Sequence, residues 1–180
     1  MGYSMGALLA QLLGSRGLAE ALVLLAPVTP ASPSGIIAQR PSVIRSFWSA
    51  VTTWGFWRKP IRQTFNDAAY SMLQLLPMEK QKKIFGRFVY ESGRVVFEMG
   101  FWFFDRKGAA RVDESKITCP VLVVAGDLDR ITQASVVRKV AAKYRTVSTY
   151  KEFLNHAHWV IGEPHWQEVA EYVSDRLGGV

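Results

Sequence analysis

The chain has 180 residues, 49% of them hydrophobic, with a formal net charge of +7. That is enough for one domain with a real core, and too apolar for disorder. No run approaches about 18 uninterrupted apolar residues, so no transmembrane helix is expected. The positive residues are scattered among acids and tryptophans rather than gathered in a basic run, so no nucleic-acid partner is expected, and ordinary solvated charge is a stronger reading than a membrane surface.

The chain opens on Gly2-Tyr3-Ser4-Met5-Gly6, which fits G-x-S-x-G and leads into Ala7–Leu13, a run of strong helix formers. A serine on a sharp strand-to-helix turn needs small flanking residues, because the backbone there is strained and crowded by the helix. The helix would aim its first N–H groups at the serine. The bland alternative is an N-cap serine, and five loosely specified positions recur by chance. Gly14-Ser15-Arg16-Gly17 reads as a stop. Ala21–Ala26 is then a continuous apolar run, as expected of a parallel strand buried on both faces. A loop with Pro27, Pro30, Ser32, Pro33, Ser34 and Gly35 follows.

From about residue 36 to 112 helical spacing replaces apolar runs, and aromatics become dense, from Phe47, Trp48, Trp54, Phe56 and Trp57 to Phe97, Phe101, Trp102, Phe103 and Phe104. Pro60 and Pro77 are expected to cut this stretch into several helices, with a fresh start at Pro77-Met78-Glu79-Lys80. Glu91 and Glu98 are placed on one of them, paired with Arg87 or Arg94. Aromatic stripes at helical spacing are usually core; the alternative is a lid over an apolar pocket. Trp54, Trp57, Phe97 and Trp102 are the candidate substrate-binding residues of such a lid.

Strand character returns at Val121–Ala125, after Cys119-Pro120 and before Gly126-Asp127-Leu128-Asp129-Arg130. The lone Cys119 reads as a small buried filler; it cannot form an internal disulfide and fits a reducing, cytoplasmic compartment. Gln133–Tyr144 has helical spacing, Thr146–Phe153 is β-rich, and an amphipathic helix closes the chain from about 165 to 177. Between them lies Asn155-His156-Ala157-His158-Trp159, with a turn at Gly162-Glu163-Pro164. Alternating strands and helices imply a parallel sheet interrupted by an inserted helical block. The division expected is a core of 1–35 and 113–180 with a lid of 36–112.

Polar candidates thus fall just after three strand-like positions: Ser4, then Asp127 or Asp129, then one of His156, His158 and His165. Serine is a poor nucleophile at neutral pH and needs a positioned imidazole, which needs a carboxylate to fix its tautomer. His-Ala-His could also ligate metal, but no third ligand stands at a telling spacing, so neither metal nor cofactor is expected.

Taken jointly, Gly-Tyr-Ser-Met-Gly, Pro-Val-Leu-Val-Val-Ala-Gly-Asp-Leu-Asp-Arg-Ile-Thr and His-Trp-Val-Ile-Gly-Glu-Pro resemble the nucleophile, acid and base segments of the α/β-hydrolase superfamily, in the chain order Ser, Asp, His. Ala157 stands where the family often has glycine, and Gln133 where many members have proline. The resemblance implies an α/β fold with an α/β-hydrolase-like parallel sheet and esterase- or lipase-like action on an apolar ester. It selects Ser4 as nucleophile, Asp129 as acid, His158 as base and the Met5 backbone N–H as an oxyanion donor. Asp127 becomes a turn carboxylate, His156 a neighbouring or exposed ring, and His165 an exposed residue at a helix start. Serine at the elbow argues against dehalogenase and epoxide-hydrolase relatives.

The family's elbow follows its fifth strand, so only the last three strands are expected here. The edge beside Ala21–Ala26 would lack a neighbour and invite aggregation, both faces would be poorly covered, and the second oxyanion donor would be missing. An N-terminally incomplete hydrolase is therefore expected, with weak turnover of its own. An inactive remnant and a lid-based interaction or membrane-surface module are the rival readings.

Overall fold

A computed structural model describes residues 1–31, 45, 48 and 52–178. Ser32, Pro33, Ser34, Gly35 and Phe47, and the expected boundary near 36, lie outside the described residues.

Among the described residues, four parallel strands form the main sheet. Strand β1 (Gly2–Tyr3) lies beside β2 (Leu22–Leu25), which lies beside β3 (Val121–Gly126), which lies beside β4 (Ser148–Phe153). In register, Gly2 stands opposite Leu24, Leu22 opposite Val121 and Val121 opposite Ser148. Helix α1 (Met5–Gly14) links β1 to β2, and α5 (Ala134–Lys143) links β3 to β4; α6 (Trp166–Leu177) closes the chain.

The side-chain period of two decides which face each residue covers. Leu22, Leu24, Val121, Val123 and Ala125 pack with Ala7, Leu8 and Ala10 of α1 and Val137, Val140 and Ala141 of α5. Val23, Leu25, Leu122 and Val124 face the other way, onto Val160, Val169 and Val173. Such two-sided burial is why β2 and β3 read as unbroken apolar runs rather than alternations.

This corrects the expectation for β2. The sheet has four strands, because the two residues before Ser4 are already extended and pair with Leu24 and Leu25. Leu22–Leu25 are all buried; Leu24 and Leu25 have strand neighbours on both sides, and Leu22 and Val23 pair on the β3 side. The exposed apolar surface sits one element away, on Met1, Leu9, Leu13 and Leu18, which are 76%, 56%, 47% and 67% exposed.

Between β2 and β3 the chain forms α2 (Phe65–Ser71), α3 (Met78–Phe85) and α4 (Gly93–Gly100), with short 3-10 turns at Phe56–Arg58 and Trp102–Phe104. The caps are local: Thr64 accepts from the Asp67 N–H and Ser92 from the Val95 N–H. Helix α3 starts directly after Pro77, as expected. Pro60 follows the 3-10 turn that ends at Arg58, and with Ile61 it pairs antiparallel to Glu91-Ser92 in a two-stranded ribbon before α2 begins. Glu91 therefore lies on a strand and not on a helix, while Glu98 pairs with Arg94 at 2.8 Å. Rings do most of the packing here. Phe56 lies within 5.6–6.2 Å of Trp57, Phe97 and Phe101, and Phe97 stacks on Phe101 at 5.4 Å.

Candidate active site

Ser4 sits between β1 and α1 with φ 52° and ψ −118°, outside the regions that L residues ordinarily occupy. Such a backbone costs on the order of 1–3 kcal/mol and persists only where its surroundings enforce it. Here the Ser4 N–H donates to the Leu25 carbonyl at 2.8 Å, and its own carbonyl accepts from Ala7 and Val28. Glycine at position 2 is obligatory for close approach: a Cβ there would lie 2.2 Å from the Gly6 carbonyl oxygen. Gly6 differs, since a Cβ there meets nothing within 4 Å. Crowding thus explains only one of the two small flanking residues.

The turn points the serine at a histidine 154 residues away in sequence. Ser4 Oγ lies 2.9 Å from His158 Nε2, and His158 Nδ1 lies 2.8 Å from Asp129 Oδ2. Those separations fit a tautomer in which Nδ1–H donates to the carboxylate and Nε2 accepts from the serine hydroxyl. His158 and Asp129 are 1% and 4% exposed.

Asp129 is held by its own turn. Oδ1 accepts from the backbone N–H of Ile131 at 2.7 Å and of Thr132 at 2.8 Å. The Thr132 hydroxyl donates to Oδ2 at 2.7 Å and also lies 3.1 Å from the Ala26 carbonyl at the end of β2. Burial alone would push this carboxyl up, but the charge and hydrogen bond of His158, with those of Thr132 and Ile131, outweigh it and hold it below its ordinary value. The site therefore keeps an anion where an imidazolium would form.

The loop carrying His158 is tied to the end of β3. Gly126 allows the contact, since a Cβ there would fall 2.4 Å from the His156 carbonyl oxygen and 2.6 Å from that of Ala157. Asp127 Oδ1 accepts from the His156 N–H at 3.2 Å, and the Leu128 N–H donates to the His156 carbonyl. Asp127 thus braces the loop that carries His158. His156 is buried, with Nδ1 2.9 Å from the Leu154 carbonyl; its ring serves packing and not surface display. His165 is exposed, near Glu168 at 3.5 Å.

Met5 opens α1, and a first-turn N–H has no intrahelical acceptor, so it remains available beside Ser4. Of the four aromatics singled out in the sequence, Trp54 and Trp57 lie 5.4 Å apart and Trp57 and Phe97 5.7 Å, while Trp102 contacts Phe103. The ring path toward the serine runs elsewhere. Phe65, Phe85 and Phe88 lead to Trp159, which meets Tyr3 at 6.0 Å, and Tyr3 lies 5.3 Å from the His158 ring. Sequence reasoning gave no role to Tyr3, Phe88, Thr132, Trp159 or Glu163. Thr132 has a local signal in the Asp-x-x-Thr spacing that lets a carboxylate cap the turn it begins, and Trp159 and Glu163 stand in the His-Trp-Val-Ile-Gly-Glu-Pro segment without a role assigned to either.

A family model described as the alpha/beta hydrolase family matches residues 1–172. No curated protein matches the chain in sequence. Among solved structures, a monoacylglycerol lipase from Paleococcus ferrophilus aligns at TM-score 0.63 and 18% identity, covering 98% of this chain and 66% of the lipase. A methylesterase protein, MES16 from Arabidopsis, aligns at TM-score 0.65 and 10% identity, covering 99% of this chain and 68% of its own. A thermophilic esterase from Thermogutta terrifontis aligns at TM-score 0.57 and 17% identity, covering 99% and 63%. The chain thus spans roughly two thirds or less of the length of these relatives, and identities this low speak for the fold alone. With residues 1–172 of its 180 matched by the family model, the chain belongs to the alpha/beta hydrolase family.

Proposed function

We propose that the chain carries the catalytic serine, acid and base of a serine hydrolase that cleaves a carboxylic ester, or a related acyl bond, of an apolar substrate through an acyl-enzyme. The observation that carries the reading is the unbroken run of contacts from Ser4 Oγ to His158 at 2.9 Å and from His158 to Asp129 at 2.8 Å. In the forward step the Ser4 hydroxyl passes its proton to His158 Nε2 as Oγ bonds to the acyl carbon. Asp129 keeps the imidazole in the accepting tautomer and stabilises the imidazolium that results. The Met5 N–H donates to the oxyanion. His158 then returns the proton to the leaving alkoxide, and water repeats the sequence on the acyl-enzyme. The apolar character of the substrate rests on the aromatic density of residues 52–112, and on the lipase and esterases among the structural relatives.

A fluorophosphonate probe tests this directly, because it phosphonylates an activated serine without requiring the native substrate. Covalent labelling that disappears in Ser4→Ala and in His158→Ala is the expected result. Folded protein that takes up no label, or that labels equally well in Ser4→Ala, would overturn the reading.

A further inference from the structure

Two successive backbone N–H groups lead into His158, and each donates to a carboxylate. His156 N–H goes to Asp127, and Ala157 N–H goes to Glu163 Oε1 at 2.8 Å. Glu163 lies five residues beyond His158, is 2% exposed, and has its other oxygen buried without a hydrogen-bond partner among the described residues. A glutamine there would satisfy the same N–H with no charge to desolvate, and burying a carboxylate is costly. The hydrogen bond alone therefore does not account for an ionisable group.

The groups that face Glu163 supply a reason. Its charge is coupled to those of His156, Asp129 and His158, and Tyr3, whose ring lies 5.3 Å from that of His158, feels both Asp129 and Glu163. The Tyr3 phenol is itself buried without a partner among the described residues. Burial, and then the Asp129 and Glu163 charges, push that phenol well above its ordinary value, so it stays neutral. Burial pushes Glu163 up, with Asp129 in the same direction, against the Ala157 N–H, His156 and His158, and the balance leaves it at about 7. Its charge is therefore switched within the neutral range.

Resting on the Ser4–His158–Asp129 reading, we propose that Glu163 is a positioning residue for His158 that acts in two separable ways. Its hydrogen bond from Ala157 fixes the backbone entering His158, and its negative charge stabilises the imidazolium formed as Ser4 gives up its proton. The first action is independent of pH across the neutral range and survives replacement by glutamine. The second requires ionisation and does not.

The test is the rate constant for fluorophosphonate labelling of the full chain from pH 5.5 to 9, in wild type, Ser4→Ala, Glu163→Gln, Glu163→Asp and Glu163→Ala, with folding checked by circular dichroism. Glu163→Gln is expected to label about three- to tenfold more slowly than wild type above pH 8, the size of a screened charge effect near a protein surface. Below pH 6, where wild-type Glu163 is protonated, the gap should close. Glu163→Asp keeps the charge and cannot reach Ala157, so it should be slower at every pH while retaining the step near pH 7; it serves if the glutamine variant does not fold. Glu163→Ala should lose about 100-fold at every pH, the scale of a misplaced catalytic group. A Glu163→Gln profile that superimposes on wild type, runs parallel to it at all pH values, or matches Glu163→Ala would overturn the proposal while leaving the serine reading intact. Labelling that is absent in wild type, or unchanged in Ser4→Ala, would overturn both.

Discussion

The ends of β1 and β3 and the helices of residues 52–112 solve different problems with different materials. At the strand ends, His158, Asp129 and Thr132 are buried and joined by directional bonds: half-buried Ser4 with His158, His158 with Asp129, Asp129 with two backbone N–H groups and Thr132. In the helical stretch the contacts are rings on rings, and some of the largest side chains stay in solvent, Trp54 at 87% and Phe104 at 67% exposed. Directional bonds in a dry site tolerate little displacement, whereas a cluster of rings 5–6 Å apart can lose or exchange a member and repack. Substitutions should therefore act in steps at the strand ends and in gradations among the helices.

The widest gap is expected from the three residues proposed to carry the chemistry. In an active enzyme carrying this chain, Ser4→Ala, His158→Ala and Asp129→Ala should each lower kcat by about 10⁴–10⁶, because such residues act as a unit. His165→Ala should retain most activity. His156→Ala should unfold more readily, by about 2 kcal/mol, since the ring is 2% exposed, with a smaller loss of rate in the folded protein. A dead but stable His156→Ala beside an active His158→Ala would reverse the assignment of the base.

Next comes Gly126→Ala. The atoms a Cβ would meet are backbone atoms of His156 and Ala157, at 2.4–2.7 Å, so no flexible side chain can move aside. Chemical denaturation should show a loss of ~3 kcal/mol or more. Gly6→Ala, with nothing within 4 Å, should hold or gain stability by up to about 1 kcal/mol through helix propensity. Equal effects at the two glycines would remove the argument that close approach defines this end of the molecule.

The two buried carboxylates pull stability in opposite directions with pH. Asp129, held low, stabilises the fold above its unfolded value, and that contribution is lost as pH falls through its folded value. Glu163 is raised from 4.5 to about 7, so the folded state binds the extra proton between those limits and stability falls as pH rises across them. The ceiling is roughly 3 kcal/mol at 1.36 kcal/mol per unit. Glu163→Gln should thus gain in Tm relative to wild type at pH 8 and not at pH 5. A Tm difference that does not change between those pH values would show that Glu163 is not titrating in the neutral range.

How legible each region was follows from the same contrast. The strand ends were readable because strained turns and apolar two-sided strands demand particular residue types at short spacings; Gly2-x-Ser4 and Val121–Gly126 carry their constraints locally. Glu163 was not, because its partner is the backbone N–H of Ala157, and any residue but proline supplies one. Strand β1 escaped notice because two residues show no periodicity. The ribbon strand at Pro60-Ile61 is hidden behind the break that Pro60 marks, since proline at an edge strand and proline at a helix boundary look alike in sequence. Among the aromatics, type marked the region, but composition does not reveal that Phe88, rather than Trp54 or Trp102, meets Trp159.

Within the helical stretch, Trp57→Ala should show the graded behaviour. Trp57 is half-buried and touches Trp54, Phe56 and Phe97, at 5.4, 5.6 and 5.7 Å. If the cluster faces an acyl group, kcat/KM for long-chain esters should drop about tenfold, the worth of one or two methylenes in an apolar pocket, with small activated esters unaffected. An unchanged chain-length series with a lowered Tm would make these rings core alone.

The smallest expected effect lies where the two regions join. The Arg130 guanidinium donates to the Tyr70 carbonyl at 2.8 Å and lies 4.5 Å from the Tyr70 ring centroid, and Gln74 Nε2 donates to the Leu128 carbonyl at 2.9 Å. Both contacts land on the turn of Asp129, one residue to either side, so helix α2 and the acid-bearing loop are fastened together. Asp129 nonetheless takes its orientation from Ile131, Thr132 and His158, none of which belongs to the helical stretch. Arg130→Ala should therefore cost about 1 kcal/mol, the sum of one hydrogen bond and a partly exposed cation–π contact. Turnover of a small activated ester should change less than about threefold, because the acid remains anchored by its own turn. The double variant with Gln74→Ala measures whether the joint is cooperative: additive losses would mean two independent pins, and a combined loss smaller than the sum a single clamp, in which breaking either contact already releases the other. A drop in turnover comparable to that of Asp129→Ala would instead show that the helices hold Asp129 in place, and the separation between rigid strand ends and adaptable helices would fail at this joint.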